Sequence, residues 1–302
     1  MDLLTRSDFD GLACAVLLRE IGMIGRWKFV HPKDLQDGNV RVTANDILAN
    51  VPYVPGCGMW FDHHTSEWER IGKPEGFVGS LRKLDSAARV IYEYFKDRYD
   101  LTKFDSMLEE VDRVDSGRLT ADDILNPQGW VLLGFLSDPR TGLGRFRNFR
   151  ISNYQLMEDL IEYCRTMPIE EILEQEDVKE RVELYKEQTE MFIKMLHEKT
   201  TVDNNIIVTD LRGVESIHAG NRFLVYSLYQ EQNISVWIVD GKNKENCAIA
   251  VGYSILNRSA NVDVGSILLR YGGGGHKQVG TCQVPYDDAD RVIGELVQKL
   301  NS

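Results

Sequence analysis

A short apolar run that ends in three metal-binding side chains places the strongest constraint on the fold. Met59, Trp60 and Phe61 are followed at once by Asp62-His63-His64. Short apolar runs of this kind are typical of buried strands. In open α/β sheets, ligands bind beyond the carboxyl ends of the strands. We therefore expect an α/β fold with a ligand site at Asp62, His63 and His64. The alternative is a surface turn that carries two incidental histidines.

The beginning of the chain has the same organisation. Residues 2–5 predict a strand, the next loop contains Asp8, Asp10 and Gly11, and residues 12–20 predict a buried helix. Two carboxylates two residues apart can face one cation, and the glycine permits a tight turn beside them. Alternatively, Asp10 is only a helix N-cap.

Further aspartates follow predicted elements. Residues 40–47 predict a strand that ends at Asp46, and a helical pattern over residues 104–111 leads to Asp112 and Asp115. Each of these aspartates could join a carboxylate cluster, or it could only end its own element.

The charge of the chain limits its partners. The formal net charge is −12 over 302 residues. Binding of a long or duplex nucleic acid depends on a basic surface, so we do not expect it here. A short anionic substrate, held by metal ions and a few arginines, is compatible with this charge.

The cysteines and the apolar runs bear on location. The five cysteines are scattered and form no CxxC pair, which predicts reduced thiols in the cytoplasm. No run approaches the length of a membrane-spanning helix, and the first residues do not resemble a signal peptide. We therefore expect neither secretion nor membrane insertion.

Residues 138–150 are basic in an otherwise acidic chain. Their arginines alternate with Phe146 and Phe149 in a glycine-rich context. This composition favours phosphate contacts or base stacking. An exposed basic loop or a brace to a second domain is the alternative.

The length and the hydrophobic pattern predict two domains. We expect an N-terminal domain at residues 1–181, with a parallel sheet flanked by helices and a helical extension. A connector helix at residues 182–201 leads to a smaller mixed-sheet α/β domain at residues 202–302.

A run of four glycines stands out in the second domain. Residues 272–275 are glycines, and His276 and Lys277 follow them, between a predicted helix and a predicted strand. A backbone without side chains can present amide groups to an oxyanion, and the two basic residues add donors. A flexible linker would serve no purpose at this place.

The acidic and imidazole side chains of the first domain form a set of hard ligands with nitrogen donors. Such a set suits Mn²⁺, Mg²⁺ or Zn²⁺ better than Ca²⁺, and the nitrogens favour Mn²⁺ over Mg²⁺. Two ions about 3.5–4 Å apart could share these carboxylates, generate a hydroxide nucleophile and bind a phosphoryl oxygen. The set comprises Asp8, Asp10, Asp46, Asp62, His63, His64 and one or both of Asp112 and Asp115.

Together these motifs resemble the DHH/DHHA1 phosphoesterase superfamily over nearly the whole chain. That superfamily includes RecJ-type exonucleases, oligoribonuclease/pAp phosphatases, cyclic-dinucleotide phosphodiesterases and exopolyphosphatase-like proteins. The specific features are Asp62-His63-His64 and residues 272–276, in this order and at this separation. Residues 7–11 resemble the first motif of the superfamily.

The resemblance assigns further positions. Asp46 matches the lone aspartate of the second motif, and Asp115 best matches the aspartate of the fourth motif, with Asp112 as the alternative. Arg258 resembles the substrate-binding arginine of the second domain. One position departs from the pattern, because Arg6 stands where many members have a metal-ligating histidine. Arginine does not ligate metals in practice, so the number of ions, one or two, stays open.

The resemblance implies a metal-dependent phosphoesterase that hydrolyses a phosphodiester or phosphomonoester of a small nucleotide or short single-stranded oligonucleotide in an interdomain cleft. His64 would support the metal cluster or act as general acid toward the leaving oxygen. The alternatives are an exopolyphosphatase or pyrophosphatase, and a nucleotide-binding regulatory protein with weakened catalysis. A homodimer is compatible with the sequence. The implied substrate-binding residues are Arg258, Gly273, Gly274, Gly275, His276, Lys277 and Arg6.

Overall fold

The protein was analysed as a computed structural model, which describes residues 1–64, 66–72 and 76–301. The chain divides into two compact units, each of which is described by itself. Unit 1 comprises Met1–Arg118 and Pro127–Leu184, and unit 2 comprises Leu119–Asn126 and Tyr185–Ser302. The predicted domain limits at residues 181 and 202 stay a prediction.

Unit 1 contains a parallel five-stranded sheet in the order β2-β1-β3-β4-β5. Trp60 and Phe61 on β4 are fully buried, as the apolar run predicts. Thr5 pairs with Ala49, and Ala49 pairs with Phe61, so the carboxyl ends of three strands are in register. The strands are β1 (Asp2–Thr5), β2 (Arg26–Phe29), β3 (Asp46–Ala49), β4 (Met59–Asp62) and β5 (Gly79–Leu81).

Helix α1 (Phe9–Glu20) is the central helix of unit 1. Every residue from Phe9 to Leu18 is buried, because α4, α5, α7 and α8 pack around it. Short 3₁₀ turns lie at Thr102–Phe104, Pro139–Thr141 and Leu143–Arg145. The other helices up to the end of the unit are α2 (Pro32–Gln36), α3 (Ser66–Ile71), α4 (Ala87–Phe95), α5 (Asp105–Asp115), α6 (Ala121–Leu125, part of unit 2), α7 (Gly129–Ser137), α8 (Asn153–Thr166), α9 (Ile169–Leu173) and α10 (Glu176–Lys199), which runs on into unit 2.

The predicted strand over residues 40–47 is wrong. The strand is β3, which begins at Asp46 and ends at Ala49. Val40 and Val42 lie in a loop and pack against the core around Trp60, so their apolar alternation does not reflect a strand. Asp46 therefore starts its strand, at the edge of the sheet opposite to the expected ligand site.

Unit 2 contains a mixed six-stranded sheet in the order β10-β11-β9-β8-β7-β6. β7 and β8 are parallel and the other pairs are antiparallel. Its apolar core includes Val236, Ile249 and Leu296. The strands are β6 (Thr200–Asp203), β7 (Ile206–Asp210), β8 (Ile234–Asp240), β9 (Asn246–Tyr253), β10 (Gly274–His276) and β11 (Val279–Pro285). The helices, besides α6, are α11 (Leu224–Leu228), α12 (Val264–Leu269) and α13 (Ala289–Leu300), with 3₁₀ turns at Lys242–Lys244 and Tyr286–Asp288.

The predicted fold class is confirmed, because a parallel sheet with helices precedes a separate mixed sheet. The five cysteines are free thiols. Within the described part of the chain, no helix combines the length and the apolar character that crossing a membrane requires.

Candidate metal centre

The candidate site lies where β1, β3 and β4 end together. Arg6 follows β1, Asn50 follows β3, and His63 follows β4. The backbone amide of Asn50 donates to the carbonyl of Phe61 at 3.1 Å, which continues the pairing of the strands by one step. The site is therefore at the edge of a parallel sheet where the sequence predicts it.

Asp10 is held from the backbone. Its side chain is buried, and its two oxygens accept hydrogen bonds from the amides of Ala87 at 2.9 Å and Ala88 at 2.8 Å. These amides open helix α4, whose N-terminus favours a negative charge. Burial, and then the charges of Asp115 and Asp8, raise the pKa of Asp10 well above its ordinary value, although the two amides oppose this rise.

His63 is oriented as metal-binding histidines are. Its Nδ1 lies 3.1 Å from the carbonyl oxygen of Leu84, which can accept a hydrogen bond only if Nδ1 carries the proton. In a neutral ring of this tautomer, Nε2 carries the lone pair that a metal would bind, and Nε2 lies 3.2 Å from Asp115 Oδ2 and 3.8 Å from Asp10 Oδ2. Among the described residues, this buried Nε2 has no hydrogen-bond partner of acceptable geometry.

The donors of Asp10, His63 and Asp115 fit a divalent cation. One ligand atom of each residue lies within 4.8 Å of the other two. Desolvation raises the pKa of Asp115, and the neighbouring His63 opposes this rise. A lone pair that faces two carboxylates is unfavourable without a cation between them. One nitrogen and several carboxylate oxygens suit Mn²⁺, with Mg²⁺ as a weaker match.

Asp62 supports the two histidines. Its Oδ1 accepts hydrogen bonds from His64 Nδ1 at 2.8 Å and from the amide of His63 at 2.8 Å. Desolvation disfavours a charged His64 ring, but its bond to Asp62 and the nearby carboxylates raise the pKa of His64 to about 9. The side chain of His64 is 42% exposed, so this imidazole can reach a bound substrate. The role of Asp62 as a metal ligand stays a prediction.

Asp8 is bound by groups of the protein itself. Its Oδ2 lies 2.9 Å from Arg6 Nε, and its Oδ1 accepts bonds from Gly11 N and Asn50 Nδ2, both at 3.0 Å. Asp8 is also the N-cap of α1. The position of the expected histidine thus holds a cation that pairs directly with the first aspartate.

The sequence analysis missed Asn50. Asn50 is 2% exposed, and its φ of 55° is a left-handed conformation that asparagine tolerates better than most residues. The signal for it was the short run Ile47-Leu48-Ala49, which ends directly before Asn50. Asp46, which we expected here, instead accepts bonds from the amide and hydroxyl of Thr43 at 2.6 and 2.8 Å. Asp46 is a turn-forming residue at the opposite edge of the sheet, and we withdraw it from the ligand set.

Asp112 is occupied by other partners than a metal. Its Oδ1 accepts a bond from Ser86 Oγ at 2.6 Å, and its Oδ2 accepts one from Arg89 Nε at 2.8 Å. Asp112 is buried, Arg89 is partly exposed, and their ion pair ties α4 to α5. Of the two candidate aspartates, the structure brings Asp115 to His63 and leaves Asp112 in this ion pair.

The basic segment 138–150 is divided between two roles. Arg140 is exposed and donates a hydrogen bond to Asp138. Desolvation lowers the pKa of Arg140, but the negative charges of Asp138, Asp8 and Asp115 raise it by more. Arg140 therefore lies within the field of the acidic cluster. Phe149 is instead covered by the guanidinium of Arg181, 4.1 Å from its ring centre, and Arg150 pairs with Glu176 on α10. Phe149 and Arg150 therefore brace the segment against α10, and both partners belong to unit 1.

In unit 2, the second half of the glycine run begins an edge strand, whereas Gly272 and Gly273 lie in the turn before it. Gly274–His276 pair with β11, and one side of β10 has no neighbouring strand in the sheet. A side chain on Gly273 would lie 2.3 Å from the carbonyl of Thr281, and one on Gly275 would lie 2.2 Å from that of Val279. Gly274 faces open space. These glycines let β10 pack closely and keep a smooth exposed backbone.

The charged neighbours of the glycine run are exposed. Lys277 Nζ donates to Asn261 Oδ1 at 3.0 Å, and Arg258 Nε donates to the carbonyl of Ile255 at 3.0 Å. His276 is also exposed. A strand edge with unpaired amides and basic side chains is suited to bind an anion.

Comparison with solved structures gives a likeness over the full length of the chain. The chain is 45% identical to a pGpG-specific phosphodiesterase, PggH from Vibrio cholerae, with a TM-score of 0.87 over 99% of this chain and 98% of that one. No protein-family model and no curated protein sequence matches the chain.

More distant solved structures share the fold. RecJ of Thermus thermophilus in complex with Mn²⁺ is 13% identical, with a TM-score of 0.51 over 99% of this chain and 52% of that one. CDC45 of Entamoeba histolytica is 8% identical, with a TM-score of 0.51 over 100% of this chain and 95% of that one. At these identities the likeness concerns the fold alone.

Proposed function

Because the chain belongs to the DHH/DHHA1 phosphoesterase superfamily, we propose that it hydrolyses the phosphodiester bond of a short linear dinucleotide such as pGpG. The chain is a phosphoric-ester hydrolase of the DHH type. The observation that carries the choice of substrate is the 45% identity to a pGpG-specific phosphodiesterase over 99% of the chain. The acidic net charge of −12 also favours a short substrate over a long nucleic acid.

We propose a divalent cation, Mn²⁺ or Mg²⁺, as the cofactor, held by Asp10, His63 and Asp115. The support is the buried Nε2 of His63, which has no hydrogen-bond partner among the described residues and lies 3.2 Å from Asp115 Oδ2 and 3.8 Å from Asp10 Oδ2. When bound, such an ion supplies Lewis-acid stabilisation of a phosphoryl oxygen and makes a water nucleophilic near neutral pH. In the reaction, water oxygen would join the phosphorus, and the bond from phosphorus to the 3′ oxygen would break, which converts pGpG into two mononucleotides.

The residues around the cation would orient the substrate. His64 is the exposed imidazole of the site, fixed by Asp62, and would donate a hydrogen bond to a phosphoryl or leaving oxygen. Arg140 would bind a negatively charged phosphate oxygen, since it is exposed and near Asp115 and Asp8. We further propose that the glycine strand and its basic neighbours in unit 2 bind a terminal phosphate or base. These residues are Arg258, Gly273, Gly274, Gly275, His276 and Lys277.

We also propose a cytoplasmic location. Five free thiols, four of them buried, are typical of proteins in a reducing compartment.

The test is a product assay with purified protein and Mn²⁺ on a panel of substrates. The panel holds pGpG, a dinucleotide with other bases, a nucleotide 3′,5′-bisphosphate, a cyclic dinucleotide and pyrophosphate. We expect turnover of pGpG to mononucleotides, and none by Asp10→Asn. Asp112→Asn is the matched control, because it changes a buried aspartate on the neighbouring helix that binds Arg89 instead.

Other outcomes would replace the proposal. Faster release of phosphate from pyrophosphate than of nucleotide from pGpG would favour the phosphoanhydride hydrolase. Tight binding of pGpG in calorimetry, with no turnover in Mn²⁺ or Mg²⁺, would favour a regulatory nucleotide-binding protein. Equal rates for wild type and Asp10→Asn would remove the proposed metal centre from the reaction.

A further inference from the structure

The side chains at the carboxyl ends of β1, β3 and β4 and beside them form two groups, which differ in their hydrogen-bond and charge partners. One half consists of Arg6, Asp8 and Asn50, and we call it the closed half. The other consists of Asp10, His63 and Asp115, and we call it the open half. In the closed half, the oxygens of Asp8 already receive three donors, one of which is a guanidinium. In the open half, His63 Nε2 has no hydrogen-bond partner among the described residues.

The charges of the two halves differ accordingly. In the closed half, the positive charge of Arg6 balances the negative charge of Asp8 at 2.9 Å. In the open half, Asp10 and Asp115 lie beside an imidazole instead of a guanidinium, because His63 Nε2 is 3.8 Å from Asp10 Oδ2 and 3.2 Å from Asp115 Oδ2. One divalent ion would balance the open half. A second ion at Asp8 would have to lie beside the guanidinium of Arg6, and like charges this close repel each other.

Asn50 adds a second reason against a paired site. A carboxylate can bridge two cations, because both of its oxygens carry negative charge, whereas an amide offers one neutral carbonyl oxygen. Asn50 uses its Nδ2 group to donate to Asp8. Its Oδ1 is buried and, in the part of the chain that the structure describes, has no hydrogen-bond partner. Asn50 therefore has an unused neutral acceptor beside Asp8 and no second charged oxygen with which to bridge two ions.

We propose that this protein binds one divalent cation, in the open half, and that Arg6 and Asn50 replace a second ion by binding Asp8. Arg6 then acts as a fixed positive charge beside the substrate phosphate. The inference rests on the proposed metal dependence, and it names how that dependence differs from a two-ion hydrolase. It also explains why the position expected to hold a ligating histidine carries a residue that does not bind metals.

The experiment counts Mn²⁺ ions per chain in the full-length protein. Equilibrium dialysis with elemental analysis gives the number, and electron paramagnetic resonance shows whether two bound ions are magnetically coupled. We expect one ion per wild-type chain, with an uncoupled signal. In the double variant Arg6→His/Asn50→Asp, we expect two ions per chain and a coupled signal, because both a nitrogen ligand and a bridging carboxylate have been supplied.

Two single variants keep the test decisive if the double variant does not fold. Asp8→Asn retains an N-cap for α1, since asparagine caps helices as well as aspartate does. We expect it to keep one ion per chain, whereas Asp10→Asn should bind none. Two ions per wild-type chain, or the loss of the ion in Asp8→Asn, would overturn the single-ion inference. No binding to the wild type at any concentration tested would instead overturn the metal dependence proposed above.

Discussion

The closed and open halves of the site lie at the same sheet edge, but they satisfy their carboxylates by different means. Asp8 obtains its positive partner from the chain, through Arg6. Asp10 accepts hydrogen bonds from two backbone amides and from the Cys14 thiol, which are all neutral donors. Burial, and then the charges of Asp115 and Asp8, raise the pKa of Asp10. If the single-ion proposal holds, the size of an acidic cluster does not predict the number of ions that it binds. What matters is which carboxylates still lack a counter-charge when the protein is folded.

The strongest test of this comparison is His63→Ala. The change removes the one nitrogen donor that faces both carboxylates of the open half. Loss of a residue that only hydrogen-bonds to a metal ligand lowers metal affinity by about 10- to 100-fold. Loss of a ligand itself should therefore lower the affinity by more than about 100-fold. Calorimetric titration with Mn²⁺ measures this. His64→Ala is the matched control and should keep the affinity within about tenfold. Similar losses in both variants would contradict the assignment of His63, and not His64, as a ligand of the open half.

A smaller effect is expected for Arg6→Ala, in the closed half. Asp8 is 5% exposed and would lose the guanidinium of Arg6, while the hydrogen bonds from the Gly11 backbone amide and the Asn50 side-chain amide remain. We expect kcat to fall by roughly 10- to 100-fold without a change in the affinity for Mn²⁺. Steady-state kinetics at saturating Mn²⁺ measures kcat, and calorimetric titration measures the affinity for Mn²⁺. Recovery of activity in Arg6→Ala at higher Mn²⁺ would show that an ion can enter the closed half.

Arg140→Ala tests the rim of the open half. Arg140 is exposed and lies in the field of Asp115 and Asp8, where it can bind a substrate phosphate. Loss of one charge-assisted hydrogen bond should raise KM by about tenfold and leave kcat within about threefold. Arg147→Ala is the control, because Arg147 is an exposed arginine of the same segment. An equal change in KM for both variants would indicate a general effect of positive charge.

The smallest effect is expected for Asp46→Asn. β3 separates this residue from Asn50, and its side chain binds Thr43. We expect kcat/KM within about twofold of wild type, and a loss of about 0.5–1 kcal/mol in unfolding free energy. Steady-state kinetics and urea denaturation measure these. A large loss of activity would contradict the position of Asp46 at the opposite edge of the sheet.

Much of the site follows from the sequence because its motifs are local. Asp8 and Asp10 lie in one loop, and Asp62, His63 and His64 are consecutive, so their proximity is fixed by chain connectivity. The parallel sheet then brings these two loops to one edge. The fold class is predictable for the same reason, since short apolar runs alternate with helical patterns.

The remaining residues depend on contacts that no local pattern contains. Val40 and Val42 pack into the core from a loop, and their alternation led to a strand that was placed too early. That shift put Asp46 where Asn50 belongs. The choice between Asp112 and Asp115 depends on Arg89, which lies on a different helix and meets Asp112 only in the folded chain.

The anchoring of the open half has a consequence for the size of the ion. Asp10 is held at both oxygens by the first amides of α4, and His63 is held by the carbonyl of Leu84, just before that helix. Neither side chain can swing freely, so the backbone fixes the distance between them. Ca²⁺ prefers oxygen ligands at about 2.3–2.6 Å and more of them, whereas Mg²⁺ requires about 2.0–2.1 Å. If the open half binds a cation as we propose, this rigid frame with its nitrogen donor would select the ion by radius, and an abundant cation of the wrong size would find too few ligands within reach.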